Sequence, residues 1–192
     1  ASPSGGRALI DTAVDVMRDA RRAVAPVWLS PLPERFSFER VRSATRTGPV
    51  VVPIGLLDDP SRQRQDAWML DLSRGGGHVA IYGAPQTGRS TLLRTLALSL
   101  ALTHTPDEVS IYGLDLSGGG LARVEAFPHV GGVAGRSDRE RIGRLLDELL
   151  SMLVARERVF REKGIDSLAV LRARHSRGDV PELVAPDVVL LV

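Results

Sequence analysis

Cysteine is absent from the 192 residues. That excludes disulfides, thiolate metal sites and a thiol nucleophile, and it leaves a reducing compartment open. Asparagine is absent too, and Lys163 is the sole lysine among 25 basic residues. Arginine in place of lysine throughout reads as the mark of a GC-rich genome. No apolar run approaches the ~20 residues that a membrane helix needs. The first residues lack the basic-then-apolar pattern of a signal peptide. The expectation is a soluble chain, or the cytosolic part of something larger. A large charge excess is missing as well: 25 basic residues face 23 acidic ones, a net of +2. So small a balance is poor support for a nucleic-acid partner. The four histidines, 78, 104, 129 and 175, have no metal-ligand spacing, and His104 and His175 sit in polar sequence.

What is present is ordinary globular composition, 43% hydrophobic and 25% charged. The length allows one large domain, or one domain plus an appendage. Apolar residues at 10, 13, 14, 17, 20 and 24 recur at helical spacing, so residues 8–24 read as a helix. Prolines 26, 31 and 33 then force an extended path with an apolar anchor around Trp28, and 36–41 reads as a short helical turn. Two strands follow, at 50–57 and 67–72, with the polar stretch 58–66 as hairpin loop. The short apolar run His78–Tyr82 reads as a buried parallel strand. Helix is expected over 91–103, strand over 109–116, a short helix over 121–127 and a short strand over 130–134. Ser137 and Glu140 have capping-box spacing. The helix they open carries one apolar stripe, Ile142, Leu145, Leu146, Leu149, Leu150, Leu153 and Phe160, read as core, and Gly164 stops it. Arg156, Arg158 and Arg161 fall on the other side, read as solvated. A helix over 167–174 and a buried strand over 187–192 complete the pass. Strands alternating with helices predict an α/β fold with a mainly parallel sheet flanked by helices, preceded by a helical and extended linker and a β-hairpin. The boundary is placed between a linker, 1–47, and a domain, 48–192.

Between the run His78–Tyr82 and the helix after it stands Gly83-Ala84-Pro85-Gln86-Thr87-Gly88-Arg89-Ser90. This fits G-x-x-x-x-G-K-[ST] at every position but the lysine, in the strand-then-helix context that the P-loop requires. Glycines 83 and 88 allow backbone angles that side chains forbid. Successive amides then form an anion nest at a helix N-terminus, where the dipole favours phosphate. Gly83 through Thr91 are the candidate nucleotide-binding residues, ATP and Mg²⁺ the expected ligands, and Ser90 the Mg²⁺ ligand. Arg89 replaces the lysine that reaches the β- and γ-phosphates. A planar guanidinium still neutralises phosphate but sits differently from a compact ammonium. Retained binding with weak or absent hydrolysis is the expectation, and no catalytic residue is assigned. The acid that would order the Mg²⁺ water is expected at the end of the 187–192 strand, beyond Val192. Asp115 closes the 109–116 strand, before Ser-Gly-Gly-Gly. Either it lies near the nucleotide, or it holds the loop by bonding local amides.

In order, Trp28-Leu29-Ser30-Pro31-Leu32-Pro33, Val52–Asp58, Gln63-Arg64-Gln65-Asp66, Leu70–Ser73, Gly83–Thr91, Tyr112–Leu121, Pro128–Val133 and Arg161–Asp166 resemble the FtsK/SpoIIIE-type ATPase domains of the EccC family. The likeness runs from about Val27 to the last residue. That family is the motor component of type VII secretion in actinobacteria. The resemblance implies a RecA/FtsK-like P-loop fold, a second or third domain in a tandem motor, and hexameric assembly. It implies neighbouring ATPase domains, a membrane secretion complex and C-terminal signals of secreted proteins as partners, on the cytoplasmic side of the inner membrane. Trp28, Leu29 and Leu32 would be a docking segment for a pocket on a neighbouring domain. A DNA translocase of the same ATPase type is the alternative, and a peptide-binding scaffold without nucleotide a third.

Overall fold

The structure, a computed structural model, describes residues 8–18, 27–42, 48–73 and 77–192. Helix α1 spans Leu9–Met17; the rest of the helix expected to residue 24, from residue 19, lies outside the described residues. Its apolar side chains Leu9, Ile10, Val14, Val16 and Met17 are all exposed. Val27–Pro33 is neither helix nor strand, as the prolines dictate. One turn of helix, α2, covers Glu39–Arg42 and buries Val41.

Strands β1 (Val51–Asp59) and β2 (Arg64–Asp71) form an antiparallel hairpin. Both reach further into the polar stretch than its composition suggests. The reason is cross-strand pairing: Asp59 lies opposite Arg64 and Asp58 opposite Gln65, and Arg64 reaches Asp66 at 2.8 Å. The turn between them is a 3-10 turn, Pro60–Arg62, whose amide at Arg62 donates to the Asp59 carboxylate. Pro53 sits where the register slips, the position a residue without an N–H tolerates. Its carbonyl accepts a buried bond from Ser99 Oγ at 2.7 Å.

The second sheet is parallel, with β3 (Val109–Asp115) between β4 (Val130–Gly135) and β5 (Asp187–Leu191). Helix α3 (Arg89–Thr103) covers one face. Its Leu96, Ala97 and Leu100 meet Val109, Ile111, Val133 and Leu191, with Val50 and Val52 from the hairpin side. Helix α4 (Arg139–Lys163) covers the other, where Leu145, Ile142, Leu149 and Met152 pack on Tyr112, Leu114, Ala134 and Val188. Ile111 and Tyr112 go to opposite faces, the period of two of a strand. Helix α5 (Leu168–Ser176) joins the end of α4 around buried Val159, Ile165 and Leu171.

Four expectations about these elements need correction, and a fifth, Arg156, belongs to the cleft described below. The run His78–Tyr82 pairs with no strand. Tyr82 is 92% exposed, and the run faces β5 across a cleft. A continuous apolar run signals a buried strand only when strands flank it. Helix α4 is capped by Asp138, whose carboxylate accepts from Arg141 N at 2.9 Å, not by Ser137. Its apolar stripe is also too wide for one interface. Leu145 is buried, but Leu146, Leu150 and Leu153 face outward with Val154. Finally, His104 is buried rather than set in polar surroundings; its ring bonds Pro49 O and Thr103 Oγ1, both at 2.9 Å.

Candidate functional site

Gly83–Ser90 runs from the extended residues 78–82 into α3. Thr87 draws the loop closed: its hydroxyl and amide both donate to Ala84 O, at 2.7 and 3.3 Å. Gly88 is the N-cap of α3 at φ 95°, where any β-carbon is strained. Gln86 stands at φ 65°; a non-glycine held there is the kind of strain that ligand-binding loops store. No side chain caps α3, whereas Asp138 and Ser167 cap α4 and α5. The first α3 amides therefore stay available, at the end of the helix where the dipole attracts anions. Every residue from Tyr82 to Thr91 is exposed. All nine sequence-predicted loop residues, Gly83 to Thr91, thus share one continuous surface.

Arg89 and Ser90 line a cleft of about 800 Å³ together with Ser117, His78, Val79 and β5. Asp115 shapes its rim. The carboxylate is buried. It accepts from Ser117 N (3.2 Å), Gly118 N (3.1 Å) and Leu121 N (2.7 Å). Burial pushes its pKa up, but the amides of Leu121, Gly118, Gly119 and Ser117 outweigh burial and hold it below the usual carboxylate value. Of the two readings of Asp115, the structure gives loop-holding, and it sets that loop against the P-loop. A β-carbon on Gly120 would stand 3.4 Å from Ser90 Cβ and 3.8 Å from its Oγ. Gly120 thus lies within ordinary contact distance of Ser90, so the 117–120 loop and the start of α3 adjoin. The described residues hold no cluster of three His, Asp or Glu side chains able to cage a metal. Mg²⁺ suits such a place, since it is commonly held by one or two protein oxygens plus phosphate and water.

Trp28, Leu29 and Leu32 do not join this site. They lie along the hairpin, where Gln63 Nε2 donates to Val27 O (2.8 Å) and Gln65 Nε2 to Ser30 O (2.7 Å). Trp28 is 78% exposed. Arg156 departs from its expected solvated place. It is partly buried and lines the cleft beside Arg172 and Asp187. Arg172 grips Asp187 with a two-pronged contact, Nε to Oδ2 at 2.8 Å and a terminal nitrogen to Oδ1 at 2.7 Å. Burial lowers the Arg156 pKa; Asp187 opposes the shift and Arg172 adds to it. The spacing signal was there: Arg156 lies four after Met152 and three before Val159, hence on the packed side of the helix.

A glycine loop feeding a helix beside a parallel sheet with helices on both faces defines a P-loop ATPase-type α/β domain. The chain belongs to the FtsK/SpoIIIE family, whose model matches residues 39–192. It is 38% identical over 181 residues to the ESX-1 secretion system protein EccCb1 of Mycobacterium tuberculosis, covering 94% of this chain and 30% of that one. Among solved structures it resembles the cytoplasmic domain of the Thermomonospora curvata type VII secretion ATPase EccC. That likeness has a TM-score of 0.82 and 39% identity, over 99% of this chain and 24% of the other. It also resembles ATPases 2 and 3 of Thermomonospora curvata EccC, solved in complex with a signal sequence peptide. There the TM-score is 0.66 and the identity 38%, over 78% of this chain and 33% of the other. The chain thus spans about a third or less of each of these three relatives. No helix among the described residues is long and apolar enough to cross a membrane.

Proposed function

We propose that this chain binds ATP with Mg²⁺ through Gly83–Thr91 and serves as a nucleotide-binding domain of a type VII protein-secretion motor. The observation that carries this reading is the uncapped N-terminus of α3 behind the Gly83–Gly88 loop, with the ordered 117–120 loop against Ser90. Amides of the loop and of the first α3 turn would take the phosphates, and the Ser90 hydroxyl would take Mg²⁺. The cation would neutralise phosphate charge. Arg89 argues for weak or absent hydrolysis. Its fork can hold phosphate oxygens, but it does not place a point charge where lysine does, and small misplacements cost on the order of 10²-fold in rate. The role is then regulatory or assembly-directed, with nucleotide stabilising the folded domain.

Residues 48–192 form the ATPase domain in this reading and 1–47 the linker from a preceding one. The exposed apolar residues of α1 and the exposed Trp28 support a linker whose partners are neighbouring domains. A hexameric motor in a membrane secretion complex, at the cytoplasmic side of the inner membrane, is the proposed setting. Secreted proteins carrying C-terminal signals are the proposed cargo, supported by the relative solved with a signal sequence peptide. Calorimetry with Mg-ATP, and turnover of the chain and of Arg89→Lys, test the proposal. The expected result is saturable binding in both, with turnover rising in the lysine variant. Absence of binding heat at saturating Mg-ATP, with no change in Tm, overturns nucleotide binding; fast turnover with Arg89 in place overturns the regulatory role.

A further inference from the structure

Two stretches far apart in sequence, Val27–Pro33 and Gln63–Asp66, meet on the hairpin. Pro31 and Pro33 fix their own φ and push Ser30 and Leu32 into extended backbone. The chain bends at Val27 and Trp28 and runs on through Pro33 as neither helix nor strand. The two carbonyls that are held, Val27 and Ser30, are three apart. Both donors are glutamine side-chain amides from residues two apart, at 2.8 and 2.7 Å. Gln63 is one of two non-glycine residues at positive φ among those described, at 49°. Arg40 donates to Gln65 Oε1 at 3.4 Å, which turns the amide NH₂ toward Ser30.

We propose that the β1–β2 hairpin carries a binding site for an extended, proline-containing peptide, with Gln63 and Gln65 as its donors and Val27–Pro33 as the peptide it holds. The peptide is held by its main chain, so its side chains stay free to face outward, and Trp28 does so. The clamp thereby sets the direction in which the segment presents its indole. Any consequence for docking rests on the role proposed for Trp28 above; the clamp itself does not.

The test uses the whole chain with Trp68→Phe, which leaves Trp28 as its one tryptophan, at a concentration where sedimentation shows one species. Gln63→Glu and Gln65→Glu keep the shape and remove the donors, and glutamate at 65 keeps the acceptor for Arg40. Time-resolved anisotropy of Trp28 is expected to show a larger amplitude of fast local motion in the double variant than in the glutamine parent. Far-UV circular dichroism and ATP affinity should be unchanged. Identical decays in parent and double variant overturn the clamp. Should the double variant not fold, NMR of the parent decides. Side-chain amide protons of Gln63 and Gln65 protected from solvent exchange support it, and unprotected ones overturn it.

Discussion

Asp115 shows what one side chain can fix. A carboxylate that accepts three backbone amides while buried is a strong local organiser, because charge-assisted bonds exceed neutral ones. Removing it leaves those amides without their acceptor. Asp115→Ala is expected to cost about 3 kcal/mol in urea unfolding and to weaken ATP binding by loosening the rim beside Ser90. The lowered pKa gives the sign with pH. The stabilisation is fully present above the unfolded carboxylate value, about 3.9, and is lost as pH falls through the lower folded value. Between pH 5 and pH 2 the parent should therefore lose more stability than Asp115→Asn; equal slopes would sever the link. Ser90→Ala tests the other side of the gap. ATP affinity with Mg²⁺ should fall by about tenfold while affinity in chelator stays unchanged, as expected when one oxygen ligand is lost. The position of Ser90 in the first turn of α3, behind the glycine loop, was legible from spacing alone. Asp115 was legible only as a choice between two roles, since its amide partners depend on how the 117–121 loop folds back.

Helix α4 separates what periodicity reveals from what it does not. Helical spacing located the element and Gly164 its end: Gly164 stands at φ 57°, and Ile165 N donates to Phe160 O at 2.9 Å. The start slipped by one residue, because Ser137 and Asp138 are both competent caps and only the chain's path chooses between them. Asp138→Ala should cost about 1 kcal/mol and Ser137→Ala within about 0.5 kcal/mol; the reverse order would reinstate Ser137 as the cap. The stripe misled in width. One sheet face accepts a limited arc of helix, so Leu145 is buried while Leu150, about 140° further round the helix axis, is 59% exposed. Leu145→Ala is expected to cost about 3 kcal/mol and Leu150→Ala about a third of that or less, read by chemical unfolding. Near-equal costs would mean that something covers the outer leucines in solution.

On the scale of the whole molecule, a parallel sheet with helices flanking it followed from alternation of strand and helix patterns, whereas the strand order β4-β3-β5 is seen only in the structure. The place of His78–Tyr82 did not. Its composition suits a parallel strand, yet the outer edge of β5 lies across the cleft of about 800 Å³ that His78, Val79 and Ile81 line. An open strand edge carries unpaired amides and carbonyls and favours another strand, and the apolar run before Gly83 is the nearest segment with the right chemistry. What keeps the two apart is local: the run feeds straight into the P-loop, so its position is coupled to whatever that loop holds. Mg-ATP on Gly83–Thr91 would fix the loop, and with it the end of the run. The expectation is that saturating Mg-ATP slows amide hydrogen exchange at Val79–Tyr82 by more than about tenfold. At 100-fold Kd it should also stabilise the chain by about 2.7 kcal/mol through linkage. Protection at Gly88–Thr91 without protection at Val79–Tyr82 would show that ligand orders the loop alone. The run would then be a tether beside the sheet rather than a strand waiting for its partner.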